Sequence, residues 1–91
     1  MKYKYQAGAT FERRVKSYFE SNDYVVFRSA GSRSPADLIC LKAGEVILVQ
    51  CKISGRLTPL EKQKLMILKD ELNCQVAIFS RNGRELVRED L

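Results

Sequence analysis

An α/β domain with a mixed β-sheet flanked by helices, in the order α-β-β-β-α-β, is the fold class that the 91-residue sequence predicts. Three observations support it. Apolar residues recur at helical spacing in two separated segments, around 10–21 and 59–72. Two β-rich apolar runs flank the turn-like Lys42-Ala43-Gly44-Glu45. The second of these runs is joined to the next one by a helical stretch, of the length that a parallel strand pair needs for its crossover.

The elements follow in order. Thr10 is placed to cap a first helix running to about Ser21, with Phe11, Val15, Tyr18 and Phe19 on one stripe. Glu12, Arg13, Arg14 and Lys16 lie mostly on the other side. Ser21-Asn22-Asp23 breaks the helix, and Tyr24 to Phe27 opens a β-rich segment that ends in the polar, small-residue loop Arg28 to Pro35. Asp37 to Leu41 and Glu45 to Ile53 form a hairpin around Gly44. Its second strand is apolar on both faces apart from Gln50 and Lys52, which predicts a central, buried strand. Thr58 followed by Pro59, with Glu61 three residues after Thr58, is a capping box with proline at the first helical position. The helix it opens, about Pro59 to Leu72, should bury Leu60, Leu65, Leu68 and Leu72, leaving Glu61, Lys62, Gln63 and Lys64 on a solvated face. Cys74 to Phe79 is a further strand, and Arg84 to Leu91 a short edge strand.

Composition limits the chemistry. Residues 1–91 make one small domain with 45% hydrophobic and 30% charged residues, and no apolar run reaches the ~18 residues of a membrane span. The basic start Met1-Lys2-Tyr3-Lys4-Tyr5 is followed by no apolar segment of signal-peptide length, which predicts an intracellular protein. Cys40, Cys51 and Cys74 each sit inside an apolar stretch and read as reduced core thiols. The sequence holds no histidine and no CxxC pair, which removes His-based triads, dyads and general acids and argues against zinc. Any catalysis must use carboxylates, lysines, hydroxyls or a metal held by oxygen ligands. The formal net charge of +5 suits a polyanionic partner, although a solvated basic surface would give the same count.

The polar residues on the hairpin are the functional clue. Side chains alternate along a strand, so Gln50 and Lys52 share one face and Cys51 takes the other. In a hairpin that turns near Gly44, Asp37 begins one strand and Gln50 ends the other, so the two meet at one end of the sheet. Burying an unpaired carboxylate or ammonium costs several kcal/mol, roughly, unless the groups pair with each other or with a metal. Taken singly, Asp37 can be a turn residue, Gln50 and Lys52 a strand end emerging into water, and Glu12 an exposed helical residue. Taken together, one active site explains all four.

Pro35-Ala36-Asp37, followed by Gln50-Cys51-Lys52 on an apolar strand, resembles the PD-(D/E)XK nuclease signature, with Gln50 where the usual acid stands. Gly8, Glu12 and Arg13 on the first helix, and Phe27-Arg28-Ser29-Ala30-Gly31-Ser32 before the Asp, resemble the archaeal Holliday junction resolvase branch of that superfamily. The resemblance runs from about Gly8 to Phe79 and implies a restriction-endonuclease-like core. It implies that Glu12, Asp37 and Gln50 surround one or two Mg²⁺ ions, with Mn²⁺ as a substitute, and that Lys52 orients or helps deprotonate the attacking water and steadies phosphate charge. Ser32, on the loop, would contact the scissile phosphate or help fix the metal shell. Gln50 costs the site one negative charge, but an amide oxygen can still coordinate Mg²⁺.

The activity implied is metal-dependent hydrolysis of DNA phosphodiester bonds by a homodimer, selective for branched DNA, with no small-molecule cofactor and no membrane. An endonuclease of the same fold acting on duplex or flapped DNA, and a non-catalytic DNA-binding module, are the alternatives. Arg28 and Arg33 flank the Gly-Ser loop, Arg56 follows the strand of Lys52, and Lys2 and Lys4 lie in an N-terminal arm; these are the expected phosphate contacts.

Overall fold

A computed structural model describes residues 2–29 and 35–91, with side chains described from residue 7 onward in the first helix. Helix α1 (Lys2–Ser21) is followed by β1 (Val25–Arg28), β2 (Leu38–Lys42), β3 (Glu45–Cys51), α2 (Pro59–Leu72), β4 (Gln75–Asn82) and β5 (Glu85–Asp90). The strands form one five-stranded sheet in the order β1-β2-β3-β4-β5. All neighbours are antiparallel except β3 and β4, which run parallel across the α2 crossover. The β2-β3 turn uses Gly44 at φ +78°, a left-handed conformation that glycine adopts without steric cost.

Strand alternation sorts the apolar residues between the two faces. Phe11, Val15 and Phe19 of α1 pack with Val26, Leu38, Cys40, Ile47, Val49, Ala77 and Phe79. Phe19 lies 5.2 Å, centroid to centroid, from both Phe79 and Tyr24 in edge-on geometry, which fastens the helix to the sheet. On the opposite face Leu65 of α2 packs with Ala36, Leu48 and Val76. β3 is the middle strand, and its Ile47, Leu48 and Val49 are buried, as a near-continuous apolar run requires. Cys40 is buried, Cys51 and Cys74 are half-buried, and all three are free thiols; burial pushes Cys40 up to about 12. Among the described residues no helix is long and apolar enough to cross a membrane.

Three expectations are corrected. The first helix begins at Lys2, so Thr10 is an exposed interior residue rather than its cap, and the stretch expected to be an arm is helical. Tyr18 is partly exposed, although its ring lies 5.7 Å from that of Phe79. Leu60 and Leu72 are 59% and 56% exposed, because α2 meets the sheet through Leu65 and, partly, Leu68, and its ends overhang that contact line. The second helix otherwise starts as expected. Thr58 Oγ1 accepts from the Glu61 N–H, and Glu61 accepts from the Thr58 N–H.

Candidate active site at one end of the sheet

Leu38 pairs with Val49, and one step further along this register brings Asp37 opposite Gln50. Asp37 is then fixed by its backbone. Its N–H donates to the Val49 carbonyl at 2.8 Å and its carbonyl accepts from the Ser29 N–H at 3.0 Å. Its side chain turns back onto the adjacent strand, where Oδ2 accepts from the Cys51 N–H at 2.8 Å. Desolvation by burial holds the Asp37 carboxyl above the usual carboxylate range, the Cys51 hydrogen bond opposes the shift, and the charge of Glu12 adds to it. Lys52 offsets part of that rise, and Glu61 adds a little more.

Gln50 is half-buried at the end of β3 and lies on the same side as Leu48, toward α2. Lys52 follows the strand, its N–H donating to the Phe79 carbonyl at 2.8 Å, so the β3-β4 pairing continues through it. Its ammonium meets Glu61 Oε2 at 2.7 Å. The helix carboxylate expected on a solvated face is therefore half-buried and paired with the site lysine. The capping box announced Glu61 in the sequence, but only as a helix start.

Glu12, expected as a metal ligand, and Arg28, expected as a phosphate contact, stand together: Arg28 Nε donates to Glu12 Oε1 at 2.8 Å, joining α1 to the end of β1. Arg56 is exposed on the loop before α2. Ser32 and Arg33 lie outside the described residues, as do the side chains of Lys2 and Lys4, which stand on the first turn of α1. The structure thus gathers Asp37, Gln50, Lys52, Glu61, Glu12 and Arg28 where β2 begins and β1 and β3 end. Among the described residues no three Asp, Glu or Cys side chains approach closely enough to hold a metal alone.

A mixed sheet between two helices, with an aspartate, an amide and a lysine at the end of its central hairpin, defines a domain of the restriction-endonuclease-like fold. A solved structure of Archaeoglobus fulgidus Hjc, described as a Holliday junction resolvase from an archaeal hyperthermophile, matches it with a TM-score of 0.79 at 15% identity, covering 92% of this chain and 72% of that one. The archaeal Holliday junction resolvase (hjc) family model matches residues 3–87, and the chain belongs to that family. The crossover junction endodeoxyribonuclease Hjc of Methanocaldococcus jannaschii is 39% identical over 72 residues, which are 79% of this chain and 49% of that protein. The chain spans about half the length of this curated relative.

Proposed function

We propose that the protein is a metal-dependent DNA endonuclease that resolves four-way junctions. The observation that carries the proposal is the placement of Asp37 opposite Gln50, with Lys52 on the same strand end, in a chain of the archaeal resolvase family. The donor set suits a hard divalent cation. A carboxylate and an amide side chain stand on opposed positions of the hairpin, while the half-buried Cys51 thiol packs on the α1 side of the sheet. Asp37 and Gln50 would hold Mg²⁺, or Mn²⁺ in its place, with Glu12 adding negative charge nearby and phosphate and water filling the remaining positions. Such an ion lowers the pKa of a bound water and stabilises charge on the phosphoryl oxygens.

The chain's own residues have distinct tasks. Asp37 is held rigid by its three hydrogen bonds and fixes the donor geometry. Lys52 orients the attacking water and faces the phosphate charge. Arg56, with Arg33, Lys2 and Lys4, contacts flanking phosphates, which gives affinity without reading sequence. Ser32 keeps the role assigned from the resemblance, whereas Glu12 and Arg28, which pair with each other, supply charge beside the metal shell rather than a ligand and a phosphate contact.

A junction has two-fold symmetry, and a two-fold protein matches it, so the active form is a homodimer acting on DNA inside the cell. Support for self-association comes from the α2 side of the molecule, where Val25 and Phe27 of β1 and Leu60, Ile67 and Leu72 of α2 are exposed.

The test is incubation with end-labelled four-way junction, flap, duplex and single-stranded DNA in Mg²⁺ or Mn²⁺, beside a chelator control. Paired symmetric cuts in the junction, abolished by chelator, are expected. Cuts confined to another substrate would keep the nuclease and change its task. Binding without any cleavage would leave a DNA-binding module whose Gln50 marks a lost active site.

A further inference from the structure

In the signature that this chain resembles, an acid stands two residues before the lysine on the same strand; here that position is Gln50, so the strand gives Lys52 no carboxylate of its own. Lysine reaches its target on four rotatable bonds, and an unpartnered ammonium samples many positions. The structure supplies a carboxylate from the next element. Glu61 Oε2 lies 2.7 Å from Lys52 Nζ. Its other oxygen, Oε1, accepts from the Thr58 N–H at 3.0 Å, and its own N–H donates to Thr58 Oγ1 at 3.1 Å. One oxygen caps the helix while the other holds the lysine, so the start of α2 is rigidly tied to the site.

The connecting loop favours the same arrangement. The Gly55 N–H donates to the Lys52 carbonyl at 2.8 Å, closing a turn directly after the lysine. Gly55 has φ +75°, and a Cβ there would stand 3.2 Å from Ser80 Oγ, so the turn packs closely on the end of β4. Glutamine completes a capping box as glutamate does, and the helix dipole alone gives a carboxylate here a modest gain; its contact with the Lys52 ammonium is the use of the charge that reaches the site.

We infer that Glu61 is a positioning residue for the nuclease reaction, holding the Lys52 ammonium beside the end of β3 from the start of α2. This rests on the nuclease function proposed above. Glu61→Gln keeps the cap and removes the charge, whereas Thr58→Ala removes the cap hydroxyl and keeps the charge. On the four-way junction Glu61→Gln is expected to lower kcat by about 10- to 100-fold with KM unchanged, as loss of a partner that orients a reacting group does. Its melting temperature should stay within a few degrees of wild type. Thr58→Ala keeps the Glu61 charge and the Thr58 N–H to Glu61 Oε1 bond, so it should lower the melting temperature more than Glu61→Gln does and kcat far less, an order that a purely structural role for Glu61 would not produce.

Wild-type kcat in Glu61→Gln would overturn the inference and leave the nuclease intact. A second readout stands apart from cleavage: ¹³C relaxation at Lys52 Cε. In wild type Lys52 should be more ordered than the exposed Lys62 and Lys64, and in Glu61→Gln it should match them. A Lys52 as mobile as those two in wild type would overturn the inference even if no DNA were cut.

Discussion

Asp37 is half-buried, and both Glu12 and Glu61 act on it through space, so its carboxyl is held above its ordinary value, chiefly by desolvation. A carboxyl with a raised folded-state pKa binds protons more tightly in the folded than in the unfolded chain. Its contribution to stability therefore falls as pH rises from the unfolded value, about 4, through the higher folded one. Asp37→Asn removes this cost while its side-chain oxygen still accepts from the Cys51 N–H. Thermal melts at roughly pH 3.5 and pH 7 should show a larger gain for the variant at pH 7; equal gains at both values would contradict the buried charge. Mg²⁺ should raise the melting temperature of wild type and have less effect on Asp37→Asn, by mass action on the folded state. Gln50→Glu restores the missing charge, and calorimetric titration should find Mg²⁺ bound roughly tenfold more tightly, since ligand charge sets affinity in such sites. Unchanged affinity would remove Gln50 from the ligand set. Asp37, Gln50 and Lys52 were legible in the sequence because three polar residues interrupt otherwise apolar runs. The partner of Lys52 was not, because a capping motif shows where a helix starts and not what its spare oxygen will touch.

Among the elements, α2 shows how far periodicity reaches. Thr58, Pro59 and Glu61 fixed its start, and the structure begins the helix at Pro59. The leucine stripe, however, gave direction without extent. Only Leu65 is fully buried, since the helix crosses the sheet along a short line. Leu65→Ala should cost about 2–5 kcal/mol by opening a cavity, whereas Leu60→Ala and Leu72→Ala should change the stability of the monomer by less than about 1 kcal/mol. Chemical denaturation of the three variants checks this, and equal losses would contradict the burial pattern. Thr58→Ala should cost about 1 kcal/mol, or about 4–8 °C of melting temperature in a domain of this size. The first two turns of α1 escaped the sequence reading because Lys2 to Thr10 carries no apolar stripe of its own. Thr10 stands just before Phe11 and imitates a cap. The hairpin and the crossover were plain, because Gly44 and the two apolar runs leave few other pairings.

At the scale of the whole molecule, the chain combines a net charge of +5 with exposed apolar side chains on β1 and α2. The charge would make the proposed DNA binding salt-dependent. Arg56→Ala should weaken junction binding without regard to sequence and reduce the slope of log K against log salt by about one. A loss of sequence preference instead would contradict a phosphate role. If the proposed dimer covers the exposed Leu60 and Ile67, Leu60→Ser with Ile67→Ser should leave the fold intact and shift sedimentation toward the monomer, and unchanged sedimentation would move the interface elsewhere. The arrangement of a sheet between two helices was readable from the order of elements alone. Which helix residues meet the sheet depends on where the layers touch, and that belongs to the assembled molecule.

The measurement that bears most directly on the whole is single-turnover cleavage of a four-way junction by wild type and Asp37→Asn across a range of Mg²⁺ concentrations. Removing one carboxylate from the proposed metal shell should slow cleavage by about 100-fold or more, while the variant melts no lower than wild type at neutral pH. Asp37→Asn cleaving at the wild-type rate would place the chemistry elsewhere.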